Sequence, residues 1–165
     1  MPVEMNYCMQ CGTKLHLKDH PDEGPTPYCD TCGDYRYPVF NTAVSMVVLN
    51  PDHTKVILIQ QYGKPYNVLV AGYVNKGEDA EDAAVREVKE EVGLQIENLR
   101  YFGSQPWPYP CGLMVGFNAD YAGGDIHLQR SELGSGGWFT ADQLPQIPDK
   151  MSIARKLIDN WLDNL

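Results

Sequence analysis

Gly72–Leu94 reads GYVNKGEDAEDAAVREVKEEVGL, and the rest of the chain is organised around it. Residues 79–92 contain neither Gly nor Pro, and Ala83, Ala84, Glu87, Lys89, Glu90 and Glu91 are helix formers or neutral. Gly93 stands where a helix stops in a left-handed cap. The spacing predicts a helix over 79–92, with Ala84, Val85, Val88 and Val92 as an apolar stripe facing a core. Glu87, Glu90 and Glu91 fall at i, i+3 and i+4 beside that stripe. Like charges at these spacings repel by about a few tenths of a kcal/mol per pair. A helix that needed only solubility would more often interleave Lys. Three carboxylates beside a glycine-bearing loop suit a hard divalent cation such as Mg2+, and a solvated acidic face is the plainer alternative.

The ordered pattern G-x5-E-x7-R-E-U-x-E-E-x-G-U, with U an aliphatic residue, is met at every specified position from Gly72 through Glu78, Arg86, Glu87, Glu90, Glu91 and Gly93 to Leu94. The stretch resembles the Nudix box, the signature of hydrolases that cleave a nucleoside diphosphate linked to another moiety. The resemblance implies an α/β/α sandwich and places Glu87, Glu90 and Glu91 as ligands of catalytic Mg2+ or Mn2+. It also implies that Glu91 or Glu87 doubles as the base and that Arg86 pairs with Glu78, holding loop to helix. Such a motif specifies a reaction class and leaves the substrate open.

The chain has 165 residues, enough for one domain with a proper core and a small appendage. No apolar run approaches membrane-spanning length, and the N-terminal MPVEMNYC has no cationic or apolar signal segment. The expectation is a cytoplasmic protein with no membrane partner. A formal net charge of −9 argues against stable nucleic-acid binding. It is compatible with a phosphorylated substrate, because bound cations can supply positive charge locally.

Upstream, Cys8-Met-Gln-Cys11-Gly12 and Cys29-Asp-Thr-Cys32-Gly33 are two C-x2-C-G knuckles. Each turn can aim two thiolates at one point, and together they supply the four sulfurs of a closed, structural Zn2+ site. Disulfides or a redox pair are the alternatives. The missing export signal disfavours the first, and a redox motif needs no second copy. The predicted organisation is a zinc ribbon over 1–38 and a mixed α/β domain over 39–165. Tyr35 and Tyr37, leading out of the ribbon, suit either stacking on a base or packing between domains.

In the larger domain, 42–49 and 55–61 read as strands joined by a hairpin turn at 50–54. A short strand is expected at 67–71, then the helix, strands at 95–104 and 112–121, and a short strand at Trp138-Phe139. A helical turn is expected near 140–144, then an amphipathic helix over about 150–162 with Ile153, Leu157, Ile158 and Trp161 on one side. Gly134, Ser135, Gly136 and Gly137 suggest a mobile loop beside Glu132.

Ten residues after the box, Ser104-Gln105-Pro106-Trp107-Pro108-Tyr109-Pro110 alternates prolines with aromatics. Prolines lack an N–H and cannot form a regular interior strand, so the segment should be stiff, with its aromatics held in place. Beside the box it resembles the SQPWPFPxS array of the NADH pyrophosphatase branch of the Nudix family, which also carries a four-cysteine zinc ribbon ahead of its catalytic domain. That resemblance implies cleavage of NAD(H) to nicotinamide mononucleotide and AMP. It implies substrate contacts at Tyr73, Gln105, Trp107 and Tyr109, and a functional Glu132. Departures are Tyr109 for the usual Phe, Gly112 for the array's Ser, and Ser135 where a companion acid is expected. The stretch after Tyr37-Pro38 lacks an Arg and an Asp-Pro, and the chain begins almost at the ribbon where most such enzymes carry a further N-terminal domain. The same chemistry on ADP-ribose, FAD or NAD-capped RNA, and a non-catalytic nucleotide sensor, are the competing readings. Oligomeric state is open, a homodimer included.

Overall fold

A computed structural model of the chain describes residues 4–107 and 112–165. These residues divide into two compact units, 4–40 and 41–107 with 112–165. The smaller unit is a three-stranded antiparallel sheet of β1 (His16–His20), β2 (Gly24–Cys29) and β3 (Asp34–Tyr35) in that order. Tyr35 packs edge-on against Tyr28 and His20 and donates its hydroxyl to the Asp19 carbonyl, so it is a structural part of this sheet.

The larger unit contains β4 (Asn41–Leu49), β5 (Lys55–Gln61), β6 (Val70–Tyr73), α1 (Ala80–Val92), β7 (Gln95–Trp107), β8 (Gly112–Gly123), β9 (Leu133–Thr140) and α2 (Ile153–Asp163). Its sheet runs β7-β8-β4-β5-β9, with β6 paired to β4. The β4–β8 pair is parallel and the other pairs are antiparallel. Residues 43–49 of β4 are all buried, because both faces of the sheet are covered; this is why the strand reads as an unbroken apolar run. Val44, Met46 and Val48 face Ala83, Ala84, Val88 and Val92 of α1. Val47 and Leu49 face Ile153, Leu157, Ile158 and Trp161 of α2. The result is an α/β/α sandwich. Full burial of Leu157 or Ile158 stabilises it by roughly 1.5–3 kcal/mol each. Among the described residues no helix is long and apolar enough to cross a membrane.

The helix ends follow local chemistry. Asp79 is the extended N-cap of α1, and Gly93 closes it at φ 76°, its N–H bonded to the Lys89 carbonyl at 3.1 Å. The Ser152 hydroxyl caps α2 by accepting from the Arg155 N–H at 3.1 Å.

Three expectations need correction. Val85 does not join the apolar stripe of α1; it is 46% exposed, and Ala83 takes the inward position. Pro106 lies inside β7, paired with Leu113, but β7 is an edge strand, where a missing N–H costs no ladder bond. The Gly134–Gly137 stretch is not a mobile loop: it lies within β9, paired residue by residue with β5. A Cβ at Gly136 would sit 3.0 Å from Leu128 Cδ2 and 3.2 Å from Ile59 Cγ2. Here glycine permits close packing and gives the strand no freedom.

Candidate active site and cysteine cluster

The loop 74–79 turns the chain from β6 into α1, and Arg86 ties the two together. Its Nε donates to Glu78 Oε1 at 2.6 Å and one Nη to Glu78 Oε2 at 2.9 Å, a two-pronged pair. The same Nη reaches the Tyr73 carbonyl at 3.0 Å. The other Nη donates to Glu87 Oε1 at 2.7 Å and Glu90 Oε2 at 3.1 Å. Glu78 also accepts the Asn75 N–H. The Arg86 guanidinium holds the Glu78 carboxyl well down, to about 2. Arg86 therefore anchors Glu78 as expected, and it also aims Glu87 and Glu90, which the sequence did not indicate.

Glu91 is different. It is 4% exposed, and its Oε2 is the one buried side-chain oxygen or nitrogen without a hydrogen-bond partner among the described residues. Burial pushes its carboxyl up to about 8, the Glu87, Glu132 and Glu90 charges push the same way, and the Ala71 backbone amide opposes them. A buried carboxylate with a bare oxygen beside two others is costly unless a cation joins it. The donor set, all oxygen and all acidic, fits a hard divalent ion.

Gly72 makes the arrangement possible, since a Cβ there would overlap the Glu87 carboxylate. The obstructed group is the end of a flexible side chain, so Gly72→Ala would displace Glu87 and leave the sheet in place. The expected result is a loss of turnover of about 10²-fold or more with a melting temperature within a few degrees of the parent. Steady-state kinetics and a thermal melt on the same preparation check it.

Glu132 reaches this cluster through backbone bonds. The Gln129 N–H donates to the Glu91 carbonyl and the His127 N–H to the Val92 carbonyl, both at 2.9 Å. The segment leading to β9 is thus strapped to the end of α1, and Glu132 lies within electrostatic reach of Glu91. Ser135, at the position of the missing acid, bonds to Gln60.

A cavity of about 870 Å³ opens on the α2 side of the sheet. It is lined by Leu69, Ala71 and Met114 from the sheet, by Trp107 and Tyr66, and by the first residues of α2. Its size suits a small-molecule site. Trp107 is 39% exposed and Tyr73, next to Gly72, 57%. Gln105 is already engaged: its amide donates to the Met151 carbonyl at 2.6 Å and accepts from Lys156 Nζ at 2.7 Å, fastening β7 to the α2 approach. A Cβ at Gly112 would stand 3.3 Å from Trp107 Cβ. Tyr109, with Pro108, Pro110 and Cys111, lies outside the described residues. The cavity escaped the sequence reading because its lining comes from segments far apart in the chain.

In the smaller unit, Cys8, Cys11, Cys29 and Cys32 are all free thiols, with their sulfurs within 4.8 Å of one another. The Cys8–Cys32 and Cys11–Cys29 Sγ separations are 3.9 and 3.4 Å. Sulfurs at 2.3 Å from a tetrahedral zinc stand about 3.8 Å apart, so the set fits that ion. Gly12 and Gly33, at φ 76° and 67°, close the knuckles by donating to the Cys8 and Cys29 carbonyls. The Arg36 guanidinium, bonded to Cys8 Sγ, draws that thiol down to about 6. Hydrogen bonding to Cys11, with burial, pushes Cys32 up to about 12. Such a cluster does not hold four thiolates without a cation.

Residues 39–161 match the NUDIX domain family. The chain is 38% identical over 156 residues to the NAD-capped RNA hydrolase NudC of Pseudomonas aeruginosa strain LESB58, covering 94% of this chain and 55% of that protein. It is 41% identical over 172 residues to the protein of the same name from Haemophilus influenzae strain PittGG, covering 98% and 64%. It therefore spans little more than half the length of these curated relatives. A NUDIX hydrolase crystal structure from Nitrosomonas europaea superposes with a TM-score of 0.72 at 22% identity, over 97% of this chain and 92% of that one. The matched domain, with its carboxylate helix on a mixed sheet, places the chain in the Nudix hydrolase family.

Proposed function

We propose that the chain is a metal-dependent diphosphatase that cleaves the pyrophosphate bond of NAD(H) to nicotinamide mononucleotide and AMP. The observation that carries this reading is the buried, unpartnered Oε2 of Glu91, set beside Glu87 and Glu90. Glu87, Glu90 and Glu91 would hold Mg2+ or Mn2+, which supplies charge neutralisation at the phosphoryl oxygens and an acidified water. The chain's own residues do the rest. Arg86 fixes Glu87 and Glu90, Glu78 fixes Arg86, and Gly72 leaves room for Glu87. Glu91 or Glu87 takes the proton from the attacking water, and the free oxygen of Glu91 favours Glu91. Glu132 adds a further carboxylate from the strapped segment.

The cavity receives one ring of the dinucleotide, with Trp107 as a stacking surface, and Tyr73, Gln105 and Tyr109 are the further substrate contacts that the resemblance to the array implies. The activity for which these relatives are named supports a substrate with an NAD moiety. The formal charge of −9 favours the free dinucleotide over an RNA carrying it. In the smaller unit, Cys8, Cys11, Cys29 and Cys32 hold a structural Zn2+, forming the zinc ribbon.

The test is a panel of NADH, NAD+, ADP-ribose, FAD and NAD-capped RNA with Mg2+ or Mn2+. NADH is expected among the best substrates, with a narrow margin over ADP-ribose and FAD, because Gly112 offers no hydroxyl where the array has Ser. One lost hydrogen bond, ~0.5–1.5 kcal/mol, narrows discrimination by up to about tenfold. Turnover of ADP-ribose without cleavage of NADH or NAD+ would overturn the substrate assignment. Nucleotide binding without turnover of any would point to a sensor.

A further inference from the structure

Ser45 interrupts an otherwise apolar strand, Ala43-Val44-Ser45-Met46-Val47-Val48-Leu49, and it is 1% exposed. Its side chain shares the α2-facing side of β4 with Val47 and Leu49. Its two neighbours across the sheet are Ala71 on β6 and Gly116 on β8, which carry almost no side chain. On the Gly116 side the space is filled by α2: a Cβ there would lie 3.0 Å from Ile153 Cδ1 and 3.2 Å from Leu157 Cδ1. On the Ala71 side nothing fills it, and Ser45 lines the 870 Å³ cavity. The hydroxyl is not one of the sealed, unpartnered atoms among the described residues, and it opens toward the cavity.

Ala or Val at this position would make this side of the strand wholly apolar, whereas Ser45 presents one hydroxyl to the cavity. The apolar part of the lining includes Leu69, Ala71, Met114 and Ile153. Gln61, Asp149, Lys150 and Arg155 also line the cavity, and a polar group set among apolar neighbours helps to fix the orientation of what enters. We propose that Ser45 is a specificity-determining residue, its hydroxyl bonding the polar edge of the heteroaromatic ring that enters the cavity. The inference rests on the reading of the cavity as a dinucleotide site and adds the group that reads the ring. A hydroxyl both donates and accepts, so it pairs with a group presenting nitrogen and oxygen or nitrogen alone. In this substrate class those are the nicotinamide carboxamide and the amino edge of adenine. Trp107 and Tyr66 line the same cavity and offer aromatic faces to a flat ring, whose polar edge is then free to meet the hydroxyl.

The experiment compares the parent with Ser45→Ala and Ser45→Thr. It measures calorimetric Kd values for nicotinamide mononucleotide and for AMP, alongside kcat/KM for NAD+. Ser45→Ala removes the hydroxyl without adding volume, and Ser45→Thr restores it. The expected result is about tenfold weaker binding of one mononucleotide to Ser45→Ala, with the other unchanged and Ser45→Thr near the parent. Loss confined to nicotinamide mononucleotide assigns the hydroxyl to the carboxamide, and loss confined to AMP assigns it to adenine. Three outcomes overturn the proposal: equal Kd values for parent and Ser45→Ala, a parent that binds neither mononucleotide, or a loss with Ser45→Thr that Ser45→Ala does not show. Failure to cleave NAD+ by the parent is a separate readout and sinks the diphosphatase reading alone.

Discussion

Replacing Glu91 by Gln is expected to lower turnover on the order of 10³-fold while making the metal-free protein more resistant to heat at pH 8. The loss follows from removing a charged oxygen from the carboxylate cluster. The stabilisation follows from burial. The Glu91 carboxyl is pushed up to about 8 in the folded chain, against an ordinary value of 4.5. Between those values the folded state holds a proton that the unfolded state has released. Stability therefore falls as pH rises from about 4.5 to about 8 and is level above that. Gln carries no charge to desolvate, so its melting temperature should match the parent near pH 5 and exceed it increasingly up to pH 8. Thermal melts in chelator across that range, with kinetics at each pH, check both halves. Parent-like turnover, or a melting difference that does not vary with pH, would remove Glu91 from the role given to it.

Cys29→Ser is expected to abolish the order of the smaller unit. Three strands of five, six and two residues cannot bury enough apolar surface to fold unaided. A four-sulfur zinc site contributes about 10–16 kcal/mol to such a fold, and Cys29 is fully buried within it. The parent should contain about one zinc per chain. The variant should contain almost none, with residues 4–40 becoming protease-sensitive while the larger unit keeps its circular dichroism. Unchanged zinc and protease resistance, or a disulfide among the four cysteines in reduced material, would contradict the metal assignment.

What was legible in the sequence was local chemistry. The knuckles of Cys8 and Cys29, the Gly93 cap and the apolar side of α2 are each specified within a few residues, and the structure shows them as read. Longer-range choices were not legible. Val85 is more apolar than Ala83, yet Ala83 is fully buried and Val85 is not, because the phase at which α1 docks on the sheet decides which residues face inward. Glycine in 134–137 reads as freedom when seen alone. Its purpose emerges only when Ile59 and Leu128 arrive from elsewhere in the chain. Spacing alone groups Glu87, Glu90 and Glu91 as equals. The structure separates them, giving two to Arg86 and burying the third beside Ala71. The lining of the cavity joins residues 45, 71 and 114 to 153, and no sequence window holds them together.

The chemistry itself is tested most directly by identifying the products formed when the purified protein meets NADH with Mn2+ or Mg2+. Reduced nicotinamide mononucleotide and AMP should appear in equal amounts, and neither should form with chelator or with Glu91→Gln. Intact NADH, or release of free nicotinamide by cleavage at the glycosidic bond, would contradict a pyrophosphate cut directed by the Glu87, Glu90 and Glu91 carboxylates.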